Sequence, residues 1–413
     1  MDIIINNKGA YMKKIIIVLV VFMFLIIGSI FGYKYYINYK IENAVKIVKL
    51  HKDKIDVFED IKLKDLIKEI NGELKENPKI KTTKVGKYKL KFKYYIPEEK
   101  IIVPYIIEYE VVDTIPPIIS MINSKTVTVG TEEIESSLFC GDNYDSKPNC
   151  FIEGEYDLNT VGEYQLTYKG IDSSNNEVSK NFVLYVNPKT TNKGSSSSNT
   201  VKVTTDFNDI VKNYKNENTK IGIDVSHWQG NIDFKKVKDA GVEFVYIRIG
   251  RGNGIGKEYV LDSKFKQNIE GFNKVGIPVG LYFYTYAASK KDAVKEAKWI
   301  VENIKDYKVD LEIAFDWENW SFYRDFNLSF YELTEAAKAF NKELEKHDYK
   351  GMLYSSKNYL ENMWFEVDFP VWLAHYTKQT NYQGKYKLWQ ICDNGVVEGI
   401  PDNQVDINIM YVK

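Results

Sequence analysis

From about residue 220 to the C-terminus, short apolar runs alternate with amphipathic helical stretches, and this alternation limits the fold more than any other feature of the chain. The runs are 221–225, 244–249, 278–286, 312–318, 352–355, 371–376, 388–391 and 405–410. Between them, Lys290–Ile304 and 331–345 place apolar residues three and four apart, as helices packed on one face do. Strands apolar on both faces and separated by helices predict a parallel sheet covered on both sides. Eight such strands with few helices toward the end predict an α/β fold, an incomplete β/α barrel over 218–413. In such barrels the chemistry sits at the C-terminal ends of the strands.

Those ends carry carboxylates. The first strand ends in Gly222-Ile-Asp224-Val-Ser-His-Trp-Gln-Gly230, the fourth in Asp316-Trp-Glu318, and the last holds Asp406-Ile-Asn408. Asp316 and Glu318, two apart on a strand, are predicted to share a face. Two close carboxylates repel, so one pKa rises and that group keeps its proton near neutrality. A protonated acid beside an ionised carboxylate is the equipment of glycosidic bond cleavage.

The N-terminal end predicts a different environment. Residues 15–33 carry no charge and span about 28 Å as a helix, close to the hydrocarbon thickness of a bilayer. Lys8, Lys13 and Lys14 precede them, which keeps residues 1–14 cytoplasmic by the positive-inside rule. A signal peptide has a shorter apolar core and small residues at its end, whereas this run closes on Phe31-Gly-Tyr33. The expectation is an uncleaved, single-pass anchor followed by a stalk at 34–50. Everything beyond then lies outside the cytoplasm.

Two segments share one design. Val85-Gly-Lys-Tyr88 and Val161-Gly-Glu-Tyr164 each open a stretch of alternating apolar and polar residues, the pattern of half-buried strands. Pro116-Pro117 and Asn187-Pro188 close the two units, at 51–112 and 113–187. They resemble tandem bacterial immunoglobulin-like domains, all-β sandwiches with a spacer role, although 63–70 reads as helical. Cys140 and Cys150 flank an acidic loop, and outside the cytoplasm a disulfide closing it is expected. Calcium ligation by Asp142 and Asp145 is the sharper reading of that loop, and a solvated loop the expected one. Residues 188–217, rich in Ser, Thr and Asn, read as a flexible linker.

Composition closes off other classes. A net charge of −1 gives no general reason to bind nucleic acid. Three cysteines and four histidines argue against clustered metal sites, and no metal or cofactor is expected. His227 and His375 lack paired ligand spacing and read as groove-edge or structural residues. The glycine-rich 250–256 stretch lacks the Gly-Lys-Ser/Thr of a phosphate loop and reads as a flexible loop at the groove.

Taken together, Gly222–Gly230, Asp262-x-x-Phe265-x-x-Asn268, Gly280-Leu-Tyr-Phe-Tyr284, Asp316-Trp-Glu318, Trp372-x-Ala374-x-Tyr376, Trp389-Gln390 and Val405-Asp-Ile-Asn408 resemble the ordered motifs of a glycoside hydrolase family 25 lysozyme, an N-acetylmuramidase. The resemblance covers essentially all of 218–413. It implies cleavage, with retention, of the β-1,4 bond between N-acetylmuramic acid and N-acetylglucosamine, without cofactor. It implies that Glu318 is the general acid/base and that Asp316 is either the nucleophile or the support of an oxazolinium formed by the 2-acetamido group. Asp224 and Asp406 would complete the carboxylate cluster. Tyr284, Trp372, Tyr376, Trp389 and Asn408 are expected to bind substrate. The chain departs from the family at Phe283 and Tyr284, at Ile391, at Met410 and at Asn403 or its neighbour, and none of these departures removes one of the four carboxylates.

The expected partners are peptidoglycan glycan strands and, through the N-terminal helix, the membrane; any protein partners in the envelope are unknown. The expected setting is the cell membrane of a Gram-positive bacterium, with the enzyme outside and remodelling the wall locally. A catalytically silent peptidoglycan-binding module that positions a wall-spanning apparatus is the alternative.

Overall fold

The computed structural model describes residues 2–189, 203–401 and 404–412. They form two compact units, 1–114 and 115–413.

The first unit opens with a helix, Asp2–Asn43, of which Lys14–Asn43 is long and apolar enough to cross a membrane. The expected stalk does not stand apart. No proline or glycine interrupts 34–43, so the helix continues to Asn43. Val48–Leu50 then pairs antiparallel with Ile67–Ile70 inside the β structure. That pairing also takes the second half of the helical-looking 63–70 segment, leaving a single turn at Leu63–Leu66. Gly86–Ile96 and Ile101–Val112 form a long hairpin flanked by Lys54–Asp56 and Glu73–Leu74. Ile55, Phe92, Tyr94, Val103 and Val111 fill the core beneath it.

The second unit begins with a β module. Its sheet runs Asn149–Glu153, Gly162–Ile171, Glu177–Asn187, Ser124–Thr128, and a small pair joins Ile118–Ile119 to Cys140–Gly141. Among the described residues, each of these two β modules is thus a four-stranded sheet with a two-stranded partner, smaller than the seven-stranded sandwich expected of an immunoglobulin domain. Cys140 and Cys150 are joined by a disulfide. The loop between them is not simply solvated: Asp142 is buried, and its Oδ1 accepts the backbone N–H groups of Tyr144 (2.8 Å) and Asp145 (2.6 Å). This Asx turn replaces the lost water.

The barrel follows. Its strands are Thr219–Val225, Val245–Gly252, Val279–Tyr284, Ile313–Asp316, Gly351–Ser356, Val371–Ala374, Leu388–Val396 and Val405–Tyr411. The first seven run parallel through the sheet apart from the closure, and the last pairs antiparallel with both the first and the seventh. The final strand therefore closes the barrel without a crossover helix. Phe265–Val275, Lys290–Ile304 and Phe330–Glu345 cover the outside.

The barrel also starts earlier than the sequence suggested. Thr205–Asp206 pairs with the seventh strand, and Phe207–Tyr214 is a helix capped by Asp206. Its Phe207 and Ile210 are buried in the barrel's outer core. Only part of the proposed 188–217 linker is left over, and 190–202 lie outside the described residues.

Strand pleating sorts the barrel into two cores. Odd-numbered residues such as Ile223, Leu281, Phe315, Leu353, Leu373 and Trp389 face the helices. Even-numbered residues such as Tyr246, Ala314, Met352, Trp372, Leu388 and Met410 fill the interior. Below them Glu312 bonds to Lys387 at 2.5 Å and to Tyr246 at 3.1 Å. Above them, toward the C-terminal ends, the interior becomes carboxylate-rich.

Candidate active site

The upper interior layer gathers the four sequence-predicted carboxylates. Asp224 and Asp406 are directly opposite in the antiparallel pair of first and last strands. Asp316 ends the fourth strand opposite Tyr284 on one side and Tyr354 on the other. Glu318 stands two residues beyond the end of that strand and, unlike the other three, is exposed at the mouth.

Their surroundings differ. Asp224 and Asp316 are each 5% exposed, whereas Glu318 is open to solvent though walled by protein on most sides. Asp224 Oδ2 accepts Asn408 Nδ2 at 2.8 Å and Gln390 Nε2 at 3.0 Å. Burial raises Asp224 to about 6, and those hydrogen bonds hold it down. Burial, the neighbouring Asp224 charge and a hydrogen bond with Asp224 push Asp406 up to about 10. Asp406 thus keeps the shared proton and Asp224 carries the charge.

Asp316 is pushed well above the usual range by burial, then by Glu318 and Asp224, with Arg248 acting the other way. Its Oδ1 is buried and has no hydrogen-bond partner among the described residues. Glu318 is raised by burial, an effect opposed by its hydrogen bond with Tyr354 and reinforced by the Asp224 charge.

A hydrogen-bond chain links these groups. The Tyr354 hydroxyl donates to Gln390 Oε1 at 2.9 Å, and Tyr376 donates to the same oxygen at 3.0 Å. Gln390 must turn its amide N–H toward Asp224, since an ionised carboxylate only accepts.

The predicted groove residues divide. Tyr284 is half-buried, and its hydroxyl is held far above its ordinary pKa by burial and by Asp316 and Glu318. Tyr376 is 53% exposed and lines, with Glu318, Tyr354, Lys357 and His375, a cavity of about 480 Å³. Trp372, Trp389 and Asn408 do not reach the groove. Trp372 is 1% exposed in the interior core, and its indole donates to Asn408 Oδ1 at 2.8 Å. Trp389 faces outward, donates to the His375 carbonyl at 2.8 Å and meets Tyr214 edge-on. Asn408 is fully buried beneath Asp224.

Four residues were missed as site members. Gln390 and Tyr354 carry the hydrogen-bond chain just described. Arg248 bonds Asp262 Oδ2 at 2.8 Å, contacts His227 and is the cation acting on Asp316. Trp228 is 68% exposed, with its ring 4.3 Å from that of His227. Alternation around Asp224, Asp316 and Asn408 was the signal available for Arg248, Tyr354 and Gln390, since all are even-numbered strand residues.

Residues 223–400 match the model of the family "Glycosyl hydrolases family 25". The autolytic lysozyme of Clostridium acetobutylicum is 30% identical over 182 residues, which are 43% of this chain and 52% of that protein. The chain thus spans about half the length of that curated relative. Among solved structures, the modular autolysin LytC from Streptococcus pneumoniae, in complex with a synthetic peptidoglycan ligand, aligns with a TM-score of 0.43 at 24% identity, covering 59% of this chain and 56% of that one. A family 25 glycosyl hydrolase from Bacillus anthracis aligns with a TM-score of 0.41 at 20% identity, over 48% of this chain and 92% of that one.

Proposed function

We propose that this chain, which carries a family 25 glycosyl hydrolase domain over residues 223–400, is a membrane-tethered muramidase. It would cleave the β-1,4 bond between N-acetylmuramic acid and N-acetylglucosamine in peptidoglycan. The observation that carries the reading is the pairing of an accessible, raised-pKa Glu318 with the buried Asp316 at the barrel mouth.

Glu318 is the acid that protonates the departing glycosidic oxygen. Its proton is favoured by burial and by the Asp224 charge. Asp316 supports this step and does not itself attack the anomeric carbon. Its unpartnered Oδ1 suits it to hold the N–H of the 2-acetamido group while that group's carbonyl oxygen attacks. Water then opens the oxazolinium with Glu318 as base, which retains the anomeric configuration. Tyr376, Tyr284 and Trp228 offer ring faces to the sugars.

The helix Lys14–Asn43 would anchor the enzyme on the outer face of the cell membrane, where it remodels nearby wall. The run of exposed apolar side chains from Ile15 to Ile27 supports an anchor. The two small β modules read as abbreviated immunoglobulin-like domains, and the first serves as a spacer.

The test is a digest of purified, N-acetylated peptidoglycan by residues 115–413, with Glu318→Gln alongside, followed by borohydride reduction and mass spectrometry. New reduced muramic acid ends from the native fragment alone are expected. Reduced glucosamine ends would keep a hydrolase and overturn the bond. No new ends, with binding retained, would favour a silent wall-binding module. A thiazoline analogue of the oxazolinium should inhibit, and a fluorosugar should trap no covalent adduct on Asp316.

A further inference from the structure

The β module of the second unit is packed against the segment that leads away from Glu318. That segment consists of two single turns, Trp320–Phe322 and Tyr323–Phe326, ahead of the helix Phe330–Glu345. Such short turns make few hydrogen bonds of their own and take their shape from what packs on them.

Phe139 supplies much of that packing. Its ring lies 5.4 Å from Tyr323 and 6.4 Å from Trp320, and stacks on Phe330 at 6.3 Å with 7° between planes. Gly141 lies against the same rings, since a Cβ there would come within 2.7 Å of both Phe330 and Tyr323. The neighbouring carbonyls complete the contact. Asp142 O accepts the Phe330 N–H at 2.8 Å and Asn143 O accepts the Tyr331 N–H at 3.3 Å. These are first-turn donors of the helix that Ser329 caps, and a helix leaves such donors without partners of its own. From the barrel side, Arg324 reaches the carbonyls of Glu135 (3.3 Å) and Cys150 (3.5 Å).

The contact lies one ring from the chemistry. Trp317 stands between the two carboxylates in the chain and is fully buried. Its indole meets Trp320 at 4.8 Å, Phe326 at 4.9 Å and Tyr323 at 5.8 Å, all edge-on. Phe139 and Trp317 therefore grip Trp320 and Tyr323 in common.

We propose that the β module is a built-in part of the catalytic head and that Phe139 is a positioning residue. It holds the Trp320–Tyr323 rings against Trp317 and so sets the orientation of the Glu318 carboxyl. This rests on the reading of Glu318 as the acid. The module is then a buttress of the active site, held in shape by the disulfide whose first cysteine follows Phe139, and it is not a spacer.

The test uses the full chain in detergent micelles and the variants Phe139→Ala, Phe139→Leu and Arg324→Gln. Misplacement of an acid by a fraction of an ångström costs about tenfold or more in rate. Phe139→Ala should therefore lose that much in kcat with KM within about twofold, and should shift the alkaline limb of its pH profile. Phe139→Leu should recover most of the loss. Amide exchange at Phe330 and Tyr331 should quicken by about tenfold or more in Phe139→Ala. A folded Phe139→Ala with native kcat, pH profile and exchange would overturn the proposal. Should Phe139→Ala not fold, Arg324→Gln decides by the same readings, with loss in kcat and protection for the proposal and native values against it. Should the native chain cut no peptidoglycan, the enzymatic reading falls with the positioning role. The exchange comparison then still judges the buttress.

Discussion

Asn408 joins the barrel's apolar interior to its carboxylate layer: its Nδ2 donates to Asp224 Oδ2 at 2.8 Å, and its Oδ1 accepts the Trp372 indole N–H at 2.8 Å. One buried amide therefore satisfies a charge above and an indole below. Gln390 plays the matching part from the seventh strand, donating to Asp224 at 3.0 Å while accepting from Tyr354 and Tyr376.

Asn408→Leu should be costly on both counts. It strands the Trp372 N–H in an apolar core and removes one of two amide donors to Asp224, each a loss of about 1–3 kcal/mol. The expected outcome is a lower urea midpoint with an unchanged denaturant slope, together with reduced turnover. Unchanged stability would mean that the buried amide is not satisfied as the structure has it.

Trp372 and Tyr376, two aromatics of one motif, should respond oppositely. Tyr376→Ala, at an exposed groove position, should raise KM for glycan fragments while leaving the thermal midpoint nearly unchanged. Trp372→Ala should cost about 3–5 kcal/mol through the cavity it leaves in the interior. Calorimetry and steady-state kinetics on both variants separate the roles.

The pH profile follows from the raised Glu318. An acid catalyst works only while protonated, so turnover should fall as pH rises through its pKa, at a pH above the ordinary glutamate range. Asp224→Asn removes a charge that pushes Glu318 upward, and the alkaline limb should move to lower pH. The acid limb reports the carboxylate set that must carry charge.

Stability should have its own pH dependence, through Glu296. This side chain, 2% exposed and hydrogen-bonded by Thr285, is raised by burial to about 8 from an ordinary 4.5. The folded chain then binds a proton that the unfolded chain releases between those values. Its contribution is therefore full below about pH 4.5 and is lost as pH rises toward 8. At about 1.4 kcal/mol for each pKa unit, the loss across that window is a few kcal/mol. Urea midpoints at several pH values should decline in the native chain, and Glu296→Gln should flatten that decline.

Much of this protein is legible in one dimension. Hydrophobic period alone determined the eight barrel strands to within a few residues and the helix Lys290–Ile304, because pleat and helical pitch act between near neighbours. Asp224, Asp316 and Glu318 could be picked out because the C-terminal ends of parallel strands must gather on one face, and Asp406 joins them because its antiparallel strand begins there. The apolar run at 15–33 and the strand starts at Gly86 and Gly162 are local in the same sense. The helix Phe207–Tyr214 was read as linker, because its apolar residues Phe207, Ile210, Val211 and Tyr214 stand in a polar neighbourhood.

Tertiary structure decided the rest. Trp372 and Tyr376 sit four residues apart in one motif, yet Trp372 lies in the interior below the carboxylates and Tyr376 lies beyond the strand end at the mouth. Only the stagger of strands against Leu388, Tyr354 and Met410 sets that depth. Trp389 faces the helices because Gln390 faces Asp224, a choice of face that the sequence leaves open until the barrel closes. The same holds for Phe139, whose place against Trp320 and Tyr323 depends on contacts made between residues far apart in the chain.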